Sequence, residues 1–368
     1  MNLAADERDL IALHLVTGVG PRLTSVLLDR FGSASAVLRA SVHDLMEVPY
    51  LSTKVAESLK RALMNPDVAK ECEQIEKHGV HLRVLGRPDY PANLATIDDV
   101  PHLLFVKGTL EASDQKAIAI VGSRACTSYG KRLAERIGAD LARAGWTIVS
   151  GLARRIDACA HRGALQAKGR TLAILAGGLS KIYPPEHTEL AEEVAASGAL
   201  ISESCMLMEP MATLFPARNR IISGLSRAVV VIEAAEKSGA LITARLAAEQ
   251  GREVFAVPGA VDSAASLGTH QLLRKRAKLV RHADDILDDL EGLPGLVEEA
   301  PAASQEAAAP SGLDEAQLKI WQALAERRLV DDLTYQLEIP ISDLTRHLMT
   351  LELKKVVRRL PGNWYERY

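Results

Sequence analysis

The sequence of 368 residues predicts an α/β protein with a doubly wound, mostly parallel sheet, preceded by a small helical domain and followed by a winged-helix-like module. Three observations predict this architecture. Apolar residues recur at helical spacing over 1–75, short apolar runs alternate with amphipathic helix patterns over 80–290, and helix patterns followed by two strand patterns occupy 313–368. Residues 291–312 are acidic and rich in Ala and Pro, which is typical of a flexible linker.

The composition is that of a soluble globular protein, with 25% charged residues, 48% hydrophobic residues and a net charge of −3. No apolar run approaches the ~20 residues of a membrane span, and the charged N-terminal segment is unlike a signal peptide. The cysteines contain no CxxC pair, which disfavours a zinc site and favours a reduced, cytoplasmic setting. They are Cys72, Cys126, Cys159 and Cys205. If the ligand is a nucleic acid, positive charge must be concentrated locally.

Residues 1–75 are predicted to form helices separated by short turns that contain Gly or Pro. Thr17-Gly18-Val19-Gly20-Pro21 resembles the hairpin of a helix-hairpin-helix or SAM-like domain, in which backbone N–H groups can point at a phosphate. Val48-Pro49-Tyr50-Leu51-Ser52 is a candidate second hairpin of degenerate sequence. Since few basic residues surround the first turn, a helical packing domain without a ligand is the alternative.

Residues 80–290 contain six apolar runs that predict strands buried on both faces. They are Ala117–Val121, Thr147–Val149, Thr171–Leu175, Ala199–Ile201, Ala228–Ile232 and Val254–Val257. Each run is followed by a loop and then a helix pattern, which is the order of a doubly wound sheet with right-handed crossovers. Ligands bind to such sheets beyond the carboxyl ends of the strands, so the loops after these runs are the candidate site.

The segment 215–226, FPARNRIISGLS, is the most informative part of the chain. Arg218, Asn219 and Arg220 precede an apolar helical stretch that leads into the predicted strand Ala228–Ile232. Guanidinium groups bind phosphate or carboxylate in a bidentate way, so two arginines held against a core element suit an anionic ligand. The alternative is that both arginines form salt bridges within their own domain.

The loop after the first predicted parallel strand offers a second set of candidate ligand groups. Gly122 permits close backbone approach, Ser123 supplies a hydroxyl, and Arg124 adds positive charge. The next helix is predicted to begin near Tyr129, and a helix N-terminus favours phosphate through its free N–H groups and dipole. A glycine in such a turn is often only a geometric requirement.

Lys237-Ser238-Gly239 directly precedes the predicted helix Leu241–Gln250, so the same argument from a helix N-terminus applies to this loop. The joint placement of basic residues is a stronger indication than any single loop, because the topology brings the loops to one edge of the sheet. These residues are Arg124, Lys181, Arg218, Arg220 and Lys237.

The motifs of cofactor binding and catalysis are missing from the sequence. There is no GxGxxG after the first strand and no GxxxxGK[ST], so dinucleotide and P-loop binding are disfavoured and we expect no cofactor. Asp157 and His161 lie one turn apart on the predicted helix Ile156–Leu165, where Asp157 is interpreted as serving the helix N-terminus rather than acid–base chemistry. Glu203 and Glu233 each end a strand and are interpreted as orienting arginines.

Six segments carry a family resemblance: VGSRACTSYG, SGLARRIDACAHRGAL, AGGLSKIYP, FPARNRIISGLS, SGALITARLAAEQGREVFAVPG and GTHQLLRKRA. In order and spacing they resemble the DNA-processing protein A family (DprA, also called Smf). The resemblance implies an extended Rossmann-like domain that binds single-stranded DNA, forms a homodimer and loads the RecA recombinase in natural transformation. It implies DNA contacts by Gly122, Ser123, Arg124, Lys181, Arg218, Asn219, Arg220, Lys237, Ser238 and Thr243.

The chain departs from the usual family pattern at several positions. Arg155 replaces the glycine of SGxAxGID, and Arg276 replaces the glycine before the alanine of the last motif. His187 and His270 stand where asparagine is common, and 204–214 lacks most of the usual Gly and Pro. The two arginines either add positive charge near the site or indicate that their loops follow another path.

The C-terminal module resembles a winged helix, similar to the last domain of many DprA proteins. Its predicted elements are three helices, Asp314–Ala325, Leu333–Leu337 and Asp343–Lys355, and two strands, Val356–Leu360 and Trp364–Tyr368, about a Pro-Gly-Asn turn. The third helix holds Arg346 and His347 but also Asp343 and Glu352, so major-groove reading is not favoured and protein interaction is an equal alternative.

The sequence therefore predicts a cytoplasmic binding protein rather than an enzyme. Single-stranded DNA is expected to bind through its phosphates, with salt-dependent and largely sequence-independent affinity. With only 4% aromatic residues, base stacking is expected to contribute little, and Tyr183 and Phe215 are the nearest candidates. The alternatives are a nucleotide-processing Rossmann-like enzyme related to phosphoribohydrolases, whose PGGxGTxxE loop is missing here, and a sequence-specific regulator that uses the winged helix.

Overall fold

The computed structural model describes residues 3–290, 313–324, 328–337, 339–354, 356–360 and 364–367. The predicted linker and the Pro-Gly-Asn turn at 361–363 lie outside these residues. The chain forms two compact units, Met1–Val297 and Glu298–Tyr368. None of the helices within the described ranges is long and apolar enough to cross a membrane.

The first unit begins with six helices: α1 Ala5–His14, α2 Pro21–Phe31, α3 Ala34–Arg39, α4 Val42–Met46, α5 Thr53–Arg61 and α6 Pro66–Lys77. Serine side chains at Ser33, Ser41 and Ser52 accept hydrogen bonds from the first turns of α3, α4 and α5 and so fix where these helices start. The two predicted hairpins join α1 to α2 and α4 to α5. Each contains one residue with positive φ, Gly18 at 94° and Tyr50 at 66°.

A nine-stranded sheet follows, with strands β1 His81–Val84, β2 Leu103–Gly108, β3 Ala117–Val121, β4 Thr147–Ser150, β5 Thr171–Leu175, β6 Ala199–Ser202, β7 Ala228–Val231, β8 Glu253–Ala256 and β9 Lys278–Leu279. Their order across the sheet is β1-β2-β6-β5-β4-β3-β7-β8-β9. Strands β3 to β9 are parallel, whereas β1 and β2 extend one edge in antiparallel fashion. The predicted doubly wound parallel sheet is confirmed, and the extension by β1, β2 and β9 was not predicted.

Helices cover both faces of this sheet: α7 Ser128–Arg143, α8 Ile156–Gln166, α9 Thr188–Ser197, α10 Leu214–Leu225, α11 Gly239–Glu249, α12 Leu267–Arg274 and α13 Ala283–Leu290. The central strand β3 shows the two-sided packing directly. Ile118 and Ile120 belong to the buried cluster that contains residues of α7 and α8. Ala119 and Val121 belong to the cluster that contains residues of α10 and α11, on the opposite face.

The strand order reverses at β3, which has β4 on one side and β7 on the other. In sheets of this type such a switch point opens a crevice between the loops at the carboxyl ends of the strands. The loops after β3 and β7 therefore diverge to opposite faces, which makes room for a ligand.

The N-terminal helices share a core with the sheet. Leu27 of α2 and Leu59 of α5 belong to the same buried cluster as Phe105 of β2 and Leu200 of β6. Because apolar side chains from both parts are removed from water together, burial stabilises the helical part on the sheet.

The second unit contains α14 Glu315–Ala323, β10 Arg328–Leu329, α15 Val330–Leu337, α16 Ile341–Leu353, β11 Val357–Leu360 and β12 Trp364–Arg367. The strands form an antiparallel sheet in the order β10-β12-β11. Ile320, Leu333, Leu344, Leu348 and Val357 form its core. Three helices on a small three-stranded sheet confirm the predicted winged helix; the short β10 was not predicted.

Candidate nucleic-acid interface

A cavity of about 690 Å³ opens at the carboxyl end of β3, at the switch point of the sheet. The loop between β3 and α7, the first turn of α10 and the start of α11 contribute to its walls. Seven of the predicted site residues line it: Gly122, Ser123, Arg124, Arg218, Asn219, Ser238 and Thr243.

A second, narrower cavity of about 20 Å³ shares part of this wall. Arg124, Tyr183 and Phe215 line both cavities, and Lys181 lines the narrower one. The structure thus brings eight of the predicted residues to two cavities with a common wall. Arg220 and Lys237 line neither of the two.

The loop after β3 is held close to the sheet. A Cβ atom on Gly122 would lie 2.7 Å from Cγ1 of Ile156, so only glycine lets the loop pass α8 at this distance. The Ser123 N–H donates to the Glu233 carbonyl at 2.7 Å, and the Ser123 hydroxyl accepts from the Ala125 N–H at 3.0 Å. These contacts fix the chain where Arg124 leaves it, and Arg124 itself is exposed at the cavity.

Arg218 forms the floor of the larger cavity and is only 6% exposed. Its Nη1 donates to the Gly151 carbonyl at 2.7 Å and also to the Ile174 carbonyl, while Nε has no acceptor among the described residues. A Cβ atom on Gly151 would lie 2.3 Å from Nη1, so glycine is required beside the guanidinium. Burial lowers the pKa of Arg218 to about 10, and Asp157 opposes this shift. Arg218 therefore keeps its charge at neutral pH.

Asp157 lines the larger cavity together with Arg218 and is only 7% exposed. Its Oδ2 accepts from the Ala153 N–H at 3.2 Å, which fixes the segment that enters α8 and agrees with the predicted role at the helix start. Burial raises the pKa of Asp157, and the positive charge of Arg218 counteracts this rise. The sequence did not indicate this buried neighbour of opposite charge.

Two aromatic rings in the shared wall support arginine side chains. The Arg124 guanidinium carbon lies 4.6 Å from the centre of the Phe215 ring, and that of Arg218 lies 5.9 Å from the same ring. Tyr183 meets Phe215 edge to face at 6.0 Å, and Arg154 lies 5.7 Å from the Tyr183 ring. Such contacts favour a cation over a ring face, so these rings help to orient the positive charges. Arg154, which lines the narrower cavity, was missed although it stands beside Arg155 in a basic stretch.

Lys181 lies on the loop after β5 and forms an exposed ion pair with Glu209. The same loop contains Gly177 and Gly178, which are needed because the segment 205–208 runs directly against them. A Cβ atom on Gly178 would lie 2.1 Å from the carbonyl oxygens of both Cys205 and Met206.

Arg220 faces away from both cavities. Its Nη2 donates to Oε1 of Glu203 at 2.7 Å, and both side chains are largely buried. The prediction that Glu203 orients an arginine is confirmed. The same prediction for Glu233 is wrong, because its carboxylate accepts from the Thr127 N–H at 2.7 Å and the Thr127 hydroxyl at 2.6 Å. The end of β7 lies beside the β3–α7 loop, so Glu233 fixes that loop instead.

His161 has a structural role. It is fully buried, and its Nδ1 lies 2.7 Å from the Thr171 hydroxyl oxygen. Since the Thr171 hydroxyl donates its hydrogen to the Ile148 carbonyl at 2.8 Å, Nδ1 of His161 must carry the proton in this contact. His187 donates through Nδ1 to the Leu152 carbonyl at 2.9 Å. Both rings are held by these contacts rather than placed at the cavity wall.

Arg155 and Arg276 keep the backbone geometry that favours glycine. Arg155 has φ 79° and ψ −109°, and Arg276 has φ 74°. Arg276 follows α12, where the Ala277 N–H donates to the Leu272 carbonyl as in a Schellman motif, which usually ends in glycine. The loops at these two positions therefore retain positive φ despite the arginine side chains, and neither arginine lines the two cavities.

Comparison with known families gives three matches. The model of the DNA recombination-mediator protein A family matches residues 81–291. The DprA winged helix domain matches 303–363, and the SAM-like helix-hairpin-helix tandem matches 8–65.

Individual proteins of known name are similar over most of the chain. Protein Smf of Escherichia coli is 40% identical over 79% of this chain and 78% of its own. The structure of DprA from Streptococcus pneumoniae is 32% identical with a TM-score of 0.68, over 78% of this chain and 99% of its own. DNA processing protein A from Helicobacter pylori, whose structure describes a single-stranded DNA binding mode, is 30% identical with a TM-score of 0.52, over 57% of this chain and 96% of its own. With this fold, these matched segments and this degree of identity, the chain belongs to the DNA-processing protein A family.

Proposed function

We propose that this protein binds single-stranded DNA in the cavity at the switch point of its sheet, chiefly through phosphate groups. The observation that carries the proposal is that Arg124, Arg218 and the N-terminus of α11 all line one cavity. Ser238 caps that helix, whose first N–H groups and dipole favour a negative charge. The single-strand binding mode described for the Helicobacter pylori relative supports the choice of ligand.

The electrostatics of the floor favour an anion. Arg218 is a buried charge whose guanidinium is held by backbone carbonyls, and Asp157 offsets its desolvation only in part. A phosphate in the cavity would face a charge that is already oriented and dehydrated, so little reorganisation accompanies binding. A flexible single strand can bend its backbone into a concave site, whereas duplex DNA is stiff over about 150 base pairs.

A salt-titrated binding measurement tests this function. Fluorescence anisotropy with a labelled single-stranded oligonucleotide is expected to give a salt-dependent affinity that exceeds the affinity for the matching duplex. Arg124→Ala and Lys181→Ala are each expected to weaken binding and to reduce the salt slope by about 0.7 per lost phosphate contact. Arg245→Ala is the control, because Arg245 is an exposed arginine on α11 that pairs with Glu249 and lines neither cavity. Unchanged affinity and slope in both site variants would contradict the proposal.

We propose a binding role rather than catalysis. The candidate acid–base residues have structural partners: His161 donates to Thr171, Glu233 accepts from Thr127, and Glu203 pairs with Arg220. Incubation with nucleoside monophosphates tests the alternative of a phosphoribohydrolase-like enzyme. Release of free base by the purified chain, abolished by a site variant, would contradict the binding role.

We further propose that the protein forms a homodimer through its Rossmann-like domain. The edge strand β9 supports this, because among the described strands it pairs only with β8, and it carries Leu279, which is 51% exposed. Two bound copies on one strand would raise the affinity through effective concentration. Leu279→Lys is expected to give a monomer by light scattering, whereas Leu353→Lys, at an exposed leucine of the second unit, is the control. A wild-type monomer would contradict the dimer.

The last part of the proposal is that the bound strand is protected and passed to the RecA recombinase in the cytoplasm during natural transformation, as membership of the family implies. RecA filament formation on a strand that is coated with a single-strand-binding protein is the test. We expect wild-type protein to accelerate assembly and Arg124→Ala to fail. No acceleration by wild-type protein would contradict RecA loading without affecting the DNA site.

A further inference from the structure

We propose that Glu71, on helix α6 of the N-terminal part, is a positioning residue for Lys181 in the DNA site. It would act through the segment 205–208, which lies between the two. The inference rests on the proposed function of the cavity, and it connects the N-terminal helices to DNA affinity without requiring them to touch DNA.

Glu71 is a buried carboxyl group, only 2% exposed. Its Oε2 accepts from the Met206 N–H at 3.1 Å. Hydrogen bonds from the Cys205 side chain and the Leu207 backbone also favour the ionised form, although burial raises the pKa of Glu71 overall. Buried carboxyl groups are rare unless they have partners, and all of these partners lie in one short segment of a different part of the fold.

The opposite side of that segment contacts the loop of Lys181. The Met208 carbonyl accepts from the Gly178 N–H at 2.9 Å, and the Met206 carbonyl accepts from the Ser180 N–H at 3.3 Å and from the Ser180 hydroxyl. Because a Cβ atom at Gly178 would overlap backbone atoms of Cys205 and Met206, the backbones of the two loops are in direct contact. A shift of 205–208 would therefore move the loop that carries Lys181.

Glu71 matters because the connection 203–213 between β6 and α10 contains neither helix nor strand. The same connection carries Glu209, the partner of Lys181, and Pro210, which lines both cavities. A segment without regular structure needs anchoring contacts to hold one conformation. The carboxyl group of Glu71 supplies such an anchor on the side away from the cavity.

A double-mutant cycle on the full chain tests the inference, with single-strand affinity as the measured quantity. Glu71→Gln is expected to weaken binding several-fold in the wild-type background and to have no further effect in the Lys181→Ala background. Glu71→Asp keeps the carboxyl group but is one methylene too short to reach Met206. It is therefore expected to show the same pattern of binding while disturbing the fold less than Glu71→Gln. Ile75→Val, at a buried position of the same helix, is the control and is expected to leave affinity unchanged.

The outcomes separate the two proposals. If the Glu71 variants weaken binding by the same factor with and without Lys181, or not at all, the positioning role is overturned while the DNA site stands. If Lys181→Ala itself leaves affinity and salt slope unchanged, both the positioning role and the place of Lys181 in the site are overturned.

Discussion

Arg218 and Arg220 lie two residues apart on α10 and serve different purposes. Arg218 Nη1 donates to the Gly151 carbonyl at 2.7 Å beneath the cavity, whereas Arg220 Nη2 donates to the Glu203 carboxylate at 2.7 Å. Residues two positions apart in an α-helix are rotated by about 200° about its axis, so Arg218 and Arg220 point to opposite sides of α10. Arg220 thus forms an internal salt bridge, one of the two alternatives raised by the sequence, whereas Arg218 is the one of the two arginines that lines the cavity.

This division predicts opposite effects for two similar substitutions. Arg220→Ala removes the partner of a largely buried Glu203 carboxylate and is expected to lower the free energy of unfolding by about 2 kcal/mol. Its single-strand affinity and salt slope are expected to match wild type once the protein is folded. Arg218→Lys keeps a positive charge but loses the planar donor geometry, and it is expected to weaken single-strand binding. Urea denaturation and salt-titrated anisotropy measure the two effects, and a loss of salt slope in Arg220→Ala would contradict the assignment.

In the proposed DNA site, Glu209 would compete with a phosphate group for Lys181. The ion pair between them is exposed, so it contributes little to stability, yet it places a carboxylate beside a proposed phosphate contact. Glu209→Gln is expected to raise single-strand affinity about two- to threefold at low salt, with the gain lost at high salt. Glu249→Gln removes the same charge from an exposed pair on α11, away from the cavities, and serves as the control. An equal gain in both variants would mean that only net charge matters.

Arg155 and Arg276 carry strained backbones that glycine would relieve. A residue other than glycine at positive φ destabilises the folded state by about 1–2 kcal/mol, so replacing it with glycine relieves this strain. Glycine also has greater freedom in the unfolded chain, which cancels part of the stability gained. Arg155→Gly and Arg276→Gly are each expected to raise the free energy of unfolding by about 1 kcal/mol, measured by urea denaturation. Alanine at the same positions retains the Cβ atom and is expected to give no gain. A gain with alanine as large as with glycine would point to the removed charge instead.

The parallel strands could be predicted because burial on both faces leaves continuous apolar runs, as in Ala117–Val121, which agrees with β3 residue for residue. Strand β9 has two residues and gives no such run, and β1 is only half-buried. The cavity lined by most of the candidate residues could be predicted because the carboxyl ends of parallel strands meet at one edge. The spacing of Arg218 and Arg220 places them on opposite sides of a helix, but which of the two faces the cavity depends on the rotation of α10 about its axis. The pairing of Glu209 depends on an irregular loop. Neither is encoded in a sequence period.

His161 is expected to make the stability of the protein depend on pH. It is fully buried, and burial lowers its pKa from 6.5 to about 3. Between these two values the unfolded chain binds a proton that the folded chain does not. The contribution of this residue to stability is therefore fully present above pH 6.5 and declines as the pH falls toward 3, by up to about 1.4 kcal/mol per pH unit.

Replacement of this residue by a neutral donor tests the effect. His161→Asn can still donate to the Thr171 hydroxyl oxygen but cannot titrate. Between pH 6.5 and 4 its free energy of unfolding is therefore expected to fall less steeply than that of wild type, by a slope that corresponds to about one proton. His43→Asn, at a side chain that is 85% exposed, is the control for the loss of one histidine. Urea denaturation at a series of pH values measures the slope. Equal slopes for wild type and His161→Asn would show that His161 takes up its proton without unfolding, which requires that the buried ring reaches water in the native state.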